Sequence, residues 1–201
     1  VEGRIVGGAL IDLDGEPAPI RAQAASLPDY RDPRLNDIYL VEGRNLDPTR
    51  KDEILLLDSF AHARGLELGD TLAATMNGAR REFDIVGFAQ SPEFIYAVAP
   101  GEIVPNDANY AVFWMSREAM GAAFDLDGAF NEALIKLGRN TEASIVIDRV
   151  DLLLESYGGV GAYALEDQIS NRFVTEEIAG LKVSTRTVPP VFLGVAAFLL
   201  Y

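Results

Sequence analysis

The sequence predicts an α+β fold in which a strand–helix part carries an inserted β-rich part. Three observations predict it. Between residues 35 and 106, strand-like runs and turn signals alternate with a single short helical stretch. After the turns at Pro100, Pro105 and Asn106-Asp107 the pattern changes to strand, helix, strand, helix. The polar, proline-rich segment Pro28-Asp29-Tyr30-Arg31-Asp32-Pro33-Arg34 separates the first strands from the β-rich stretch.

Taken in order, Ile5 to Leu13 reads as a strand that turns at Asp14-Gly15, and 18–27 returns to Pro28. Ile54-Leu55-Leu56-Leu57 is a short buried strand. Asp58 is placed to N-cap a brief helix through Arg64, with Gly65 at its C′ position. Thr71 to Met76 and Arg81 to Phe88 flank Asn77-Gly78, the strongest short-range hairpin signal. Residues 91–99 read as a further strand carrying Phe94 and Tyr96. Tyr110 to Met115 is a strand with the single tryptophan, Trp114, and Ser116 caps a helix to Phe124. Asn131 to Leu137 is another strand. From Thr141, the spacing of Val146, Val150, Leu153, Leu154 and Tyr157 predicts a helix that Gly158-Gly159 ends. Ile169, Phe173, Val174, Ile178 and Leu181 mark a last amphipathic helix leading into Pro189-Pro190.

Composition narrows the function. The chain of 201 residues has 31 acidic and 17 basic side chains, a net charge of −14. Nucleic acid and anionic headgroups repel such a chain, so no nucleic-acid partner is expected. Without cysteine there is no disulfide framework, thiolate metal site or thiol nucleophile. The one histidine, His62, rules out sites needing two imidazoles and reads as a surface residue. No G-x-S-x-G elbow accompanies it. Asp12/Asp14 and Asp125/Asp127 each occur as Asp-Leu-Asp-Gly, yet neither continues as a calcium loop, and turn formation accounts for both. Gly158-Gly159-Val160-Gly161 follows a helix instead of opening one, which is a helix end and not a phosphate cradle. No catalytic, cofactor-binding or metal-binding residue is therefore assigned. Among the aromatics on strands, Tyr110 and Phe113 read as core, while Phe94, Tyr96 and Trp114 are also candidates to face a substrate or partner.

Neither chain end reads as a natural terminus. The start, Val1-Glu2-Gly3-Arg4, has none of the marks of a signal peptide. From residue 191 to Tyr201 the chain is apolar without the polar residue that a core helix shows every third or fourth position. A helix over 191–201 would rise about 16 Å, about half of a hydrocarbon core. The expectation is a transmembrane helix cut short; the competing one is a buried terminal helix.

The string Asp52-Glu53-Ile54-Leu55-Leu56-Leu57-Asp58-Ser59-Phe60-Ala61, with Gly65-Leu66-Glu67-Leu68-Gly69-Asp70-Thr71-Leu72, resembles the MacB-like periplasmic core domain of FtsX-like ABC transporter permeases. So does the Asn77-Gly78 hairpin ending in Phe83-Asp84-Ile85-Val86-Gly87-Phe88. Ser91 to Tyr96 and Gly128 to Asn131 are similar to a bacterial branch of that family. The resemblance implies a membrane-proximal strand–helix (porter-like) subdomain from 1–34 with 107–187, and a distal β-rich subdomain at 35–106. Residues 188–201 would begin a truncated transmembrane helix, with Pro189, Pro190, Phe192 and Phe198 near the membrane and the helix from Ile169 to Thr185 as a stalk.

It further implies a non-enzymatic domain on the periplasmic or extracellular side of the bacterial inner membrane. No cofactor is expected in this chain, with ATP bound by a separate cytoplasmic ABC ATPase subunit. The implied partners are that ATPase through the rest of the permease, a second permease copy, and an envelope protein or a lipid or peptide substrate. Two other readings stand beside it: a secreted hydrolase using the Asp-rich turns, and a soluble adhesion or scaffold module.

Overall fold

A computed structural model describes residues 1–199. It divides into two units, 1–141 and the remainder from Glu142. In the first, β1 (Glu2–Arg4), β2 (Val6–Asp12) and β3 (Ile20–Leu27) are followed by β4 (Tyr39–Gly43) and β5 (Glu53–Leu57). Then come α1 (Asp58–Arg64), β6 (Thr71–Met76), β7 (Ala79–Gln90), β8 (Tyr110–Ser116), α2 (Arg117–Phe124) and β9 (Glu132–Leu134). The class is α+β, as expected.

Seven strands form one sheet in the order β4-β7-β5-β8-β3-β2-β6, and β6 also pairs with β7. The long β7 makes this closure. Its first half, from Ala79 to Asp84, runs antiparallel to β6, and its second half pairs with β5 on one side and β4 on the other. Six strands thus close into a barrel, which removes every edge except the one β4 presents. β1 and β9 form a separate two-stranded ribbon.

The subdomain boundaries expected from the sequence do not partition this sheet. β2, β3 and β8 belong to the expected strand–helix part, and β4 to β7 to the expected β-rich part. They nevertheless share one hydrogen-bonded barrel, through β2–β6 and β5–β8. The boundary falls instead near residue 141.

β5 and β8 are buried along their whole length because both faces are covered. One face looks into the barrel, and α1 or α2 covers the other. The Asn77-Gly78 hairpin forms as expected, with φ of 47° and 77° at the two turn residues. At Gly7 the ring of Phe124 lies so near that a Cβ would come within 2.1 Å of it, so only glycine lets α2 close down on β2.

Local expectations differ in two places. Asp58 is the first helical residue and not the cap: Leu57 holds that position, and no side chain caps α1. Its carboxylate is drawn away by Gln90, whose Nε2 donates to Oδ2 at 3.0 Å. Residues 91–99 are not a strand. Ser91 accepts from the Glu93 amide, and Pro92 starts a 3-10 turn over Pro92–Phe94.

The second unit holds α3 (Ala143–Leu154) and α4 (Ile169–Leu199). Gly158 at φ 76° ends the turn after α3. Pro189 and Pro190 lie inside α4 instead of stopping it. Phe192 and Phe198 are 72% and 83% exposed, so the buried-terminus reading does not describe this end. No helix among the described residues is long and apolar enough to cross a membrane. Leu200 and Tyr201, the end of the expected apolar run, lie outside the described residues.

Candidate functional site

Two of the three aromatic candidates, Phe94 and Trp114, meet beside the β1–β9 ribbon. Trp114 stands on β8, paired with Leu55 and Ala25 on the neighbouring strands, and is 2% exposed. It is core and presents no face to a partner. Phe94, at the end of the 3-10 turn, packs edge-on against it with ring centroids 6.0 Å apart and is partly buried. Tyr96 is likewise partly buried, while Ile95 between them is exposed. Only the rim of the expected cluster therefore reaches solvent.

Charges hold that rim in place. The Arg4 guanidinium takes Glu93 in a two-pronged pair at 2.6 and 2.7 Å, while its Nε donates to Glu132. One nearly buried cation so ties β1, β9 and the 3-10 turn together. Burial alone would lower its pKa, but the hydrogen bonds and charges of Glu93 and Glu132 outweigh that and raise it. Two residues earlier, Glu2 pairs with Arg31 at 2.6 Å and accepts from the backbone N–H of Arg34 and Leu35. Glu2, Arg4, Trp114 and Arg117 line a cavity of about 20 Å³, room for about one water and for no substrate.

A second network fixes the approach to β5. The Glu53 carboxylate is fully buried, gripped by Arg44 at 2.5 and 2.8 Å and approached by Arg50 at 3.2 Å, and it accepts from the Asp47 amide. Hydrogen bonding from Arg44 holds this carboxyl below the usual range, against the upward push of burial. Glu2 lies below it too: burial pushes up, but Arg31 and the two amides prevail.

A group whose folded pKa is below its unfolded value of 4.5 contributes all its stability above that pH. The contribution is lost as pH falls through the folded value. Thermal melts followed by circular dichroism are therefore expected to fall below about pH 4.5. Glu53→Gln should melt lower than wild type at pH 7 and lose less on going from pH 5 to about 3. An equally steep acid limb in Glu53→Gln would remove Glu53 from this account.

The remaining polar candidates stay apart. Asp12 faces Arg80 at 3.4 Å, and Asp125, the C-cap of α2, accepts from Asn77. His62, largely exposed, lies against Asp58 at 3.2 Å, while Ser59 donates instead to Asp107. Among the described residues no three His, Asp or Glu groups could share a metal ion. The Arg4 network is not legible in the sequence, since its partners lie 89 and 128 positions away; the Glu53 network is local, with Arg44 nine positions off, but nothing in the sequence marks Glu53 as the buried end of its strand.

The fold and this site define an α+β domain in which a closed barrel is braced by buried ion pairs. No protein-family model matches the chain, and no curated protein matches it in sequence. Among solved structures it is similar to the extracellular domain of the noncanonic ABC-type transporter YknZ from Gram-positive bacteria. That likeness has 11% identity and a TM-score of 0.45, over 80% of this chain and 76% of the other. It is also similar to the periplasmic region of MacB from Actinobacillus actinomycetemcomitans, with 12% identity and a TM-score of 0.42, over 88% and 74% of the two chains.

Proposed function

We propose that this chain is the extracytoplasmic domain of an FtsX/MacB-like ABC permease subunit, passing ATP-driven motion to an envelope substrate or partner. The observation that carries the reading is the bare apolar end of α4. Val191, Phe192, Leu193 and Val195 are exposed, as are Phe198 and Leu199. Water solvates such a surface poorly and lipid solvates it well. Arg186 and Lys182 lie about one and a half and two and a half turns before it, where long cationic side chains can reach headgroups while their stems stay apolar. A helix of this length is a stiff lever, and a barrel tied by buried ion pairs is a body a lever can move.

In this reading ATP binds a separate cytoplasmic ATPase, and the role of the chain is mechanical. The cargo would be a lipid, lipoprotein or peptide, with Phe94 and Tyr96 on the rim it meets. This chain has no cysteine, so a single cysteine placed in it makes the location testable in the full-length protein once any native cysteine outside the chain is replaced. Asp14→Cys, at the exposed β2–β3 turn, is expected to react in intact cells with a maleimide that cannot cross the inner membrane. Labelling only after lysis would overturn the proposal.

A further inference from the structure

The β6–β7 turn carries a reactive pair. Asn77 alone among the eight asparagines of the chain is followed by glycine. Both residues are exposed, and a Cβ on Gly78 would meet nothing within 4 Å, so its amide nitrogen is open to approach. The same tip is tied to the end of α2. Asn77 Nδ2 donates to Asp125 Oδ2 at 3.2 Å, and Asp125, at φ 57°, is the residue that ends α2. One residue earlier, the Phe124 ring closes over Gly7 of β2. An amide facing a carboxylate makes a hydrogen bond; a second carboxylate in its place makes a repulsion.

We propose that Asn77 is a site of spontaneous deamidation, and that loss of its amide unties the β6–β7 hairpin from α2. The Gly78 nitrogen, its proton taken by solvent base, forms a bond to Asn77 Cγ. The Cγ–Nδ2 bond breaks, and ammonia leaves with a proton from solvent. Water then opens the five-membered imide at either carbonyl. One opening gives aspartate. The other gives isoaspartate, whose backbone runs through Cγ and adds a carbon to a two-residue loop. The sum is amide plus water to carboxylate plus ammonium, with no oxidant and no enzyme. Attack requires the tip to leave its turn, so local opening between Met76 and Ala79 sets the rate. Either product removes the donor to Asp125 and adds a negative charge. The hairpin's own cations are engaged: Arg80 faces Asp12 and Glu82, each at 3.4 Å, and Arg81 donates to the Ala122 carbonyl at 3.5 Å. The inference goes beyond the proposed function and does not depend on where the domain lies or what it meets.

The full chain, held for days at neutral pH in neutral detergent, tests it by peptide mass. The peptide with Asn77 is expected to gain about 1 Da before any peptide holding another asparagine. A protease that cuts before aspartate but not before isoaspartate separates the two products. Thermal melts test the consequence. Asn77→Asp should melt about 2–4 °C below wild type. Asn77→Gly, which suits the same turn and adds no charge, should fall between the two. Combining Asn77→Asp with Asp125→Asn exchanges donor and acceptor, and asparagine tolerates the left-handed backbone at 125. That pair should melt within about 1 °C of wild type. A mass gain at Asn77 no earlier than elsewhere would overturn the proposal. So would an Asn77→Asp protein that melts with wild type, its new carboxylate taken up by Arg80 or Arg81, or an exchange that restores nothing.

Discussion

Arg4→Ala is expected to destabilise the first unit by about 3–5 kcal/mol, the range for breaking a buried ion pair from one side. Most of that loss comes from what stays behind. Glu93 keeps a carboxylate whose side chain is only 9% exposed, now without its cation. Glu132, a third exposed, recovers part of its hydration, so Glu132→Gln should cost less. For a unit of this size the loss corresponds to a fall of about 10 °C or more in melting temperature. Arg4→Met combined with Glu93→Leu should regain much of it, because the only carboxylate then left without its cation is the partly exposed Glu132. The consequence also travels. Arg4 holds the turn that sets Phe94 against Trp114, so Arg4→Ala should move the native Trp emission to the red. A melt within about 2 °C of wild type would remove the clamp from this account.

The parts of the fold legible in the sequence are those in which a residue acts on its near neighbours. Asn77-Gly78 turns the β6–β7 hairpin, Gly65 in the left-handed region ends α1, and Ser116 accepts from the Ala119 amide to start α2. What was hidden depends on partners far along the chain. β3 runs parallel to β8, and one strand, β7, serves β4, β5 and β6 at once. Turn residues carry no information on such pairings, so a composition shift near residue 35 looked like a subdomain border.

Residues 91–99 mislead for another reason. Alternating Phe94 and Tyr96 suggest a strand, while Ser91-Pro92-Glu93 spells the capped turn that forms. The local signal for the turn was present and the aromatic pattern outweighed it. Of the site, the types of residue were legible and their roles were not. Nothing in the sequence pairs Arg4 with Glu93, and an aromatic on a strand carries no label for the face it occupies.

Trp114 shows the difference most sharply, and its removal is the second large expected effect. On a partner-facing surface, Trp114→Ala would weaken binding and leave the melt alone. In the structure Trp114 is buried between Leu55 of β5 and Ala25 of β3, with Phe94 edge-on to its ring. Emptying that space removes a large apolar side chain and leaves a cavity, a cost of about 3–5 kcal/mol. The melting temperature should fall by about 10 °C. Phe94→Ala, at a partly buried position, should cost less, and Trp114→Phe, which keeps most of the volume, less than Trp114→Ala. Being the only tryptophan, Trp114 also reports on itself: native emission should be blue-shifted and move red with the unfolding transition. A Trp114→Ala protein that melts with wild type would return Trp114 to the surface. If it melts low while Phe94→Ala melts nearly unchanged, Phe94 is the residue on which to look for a partner.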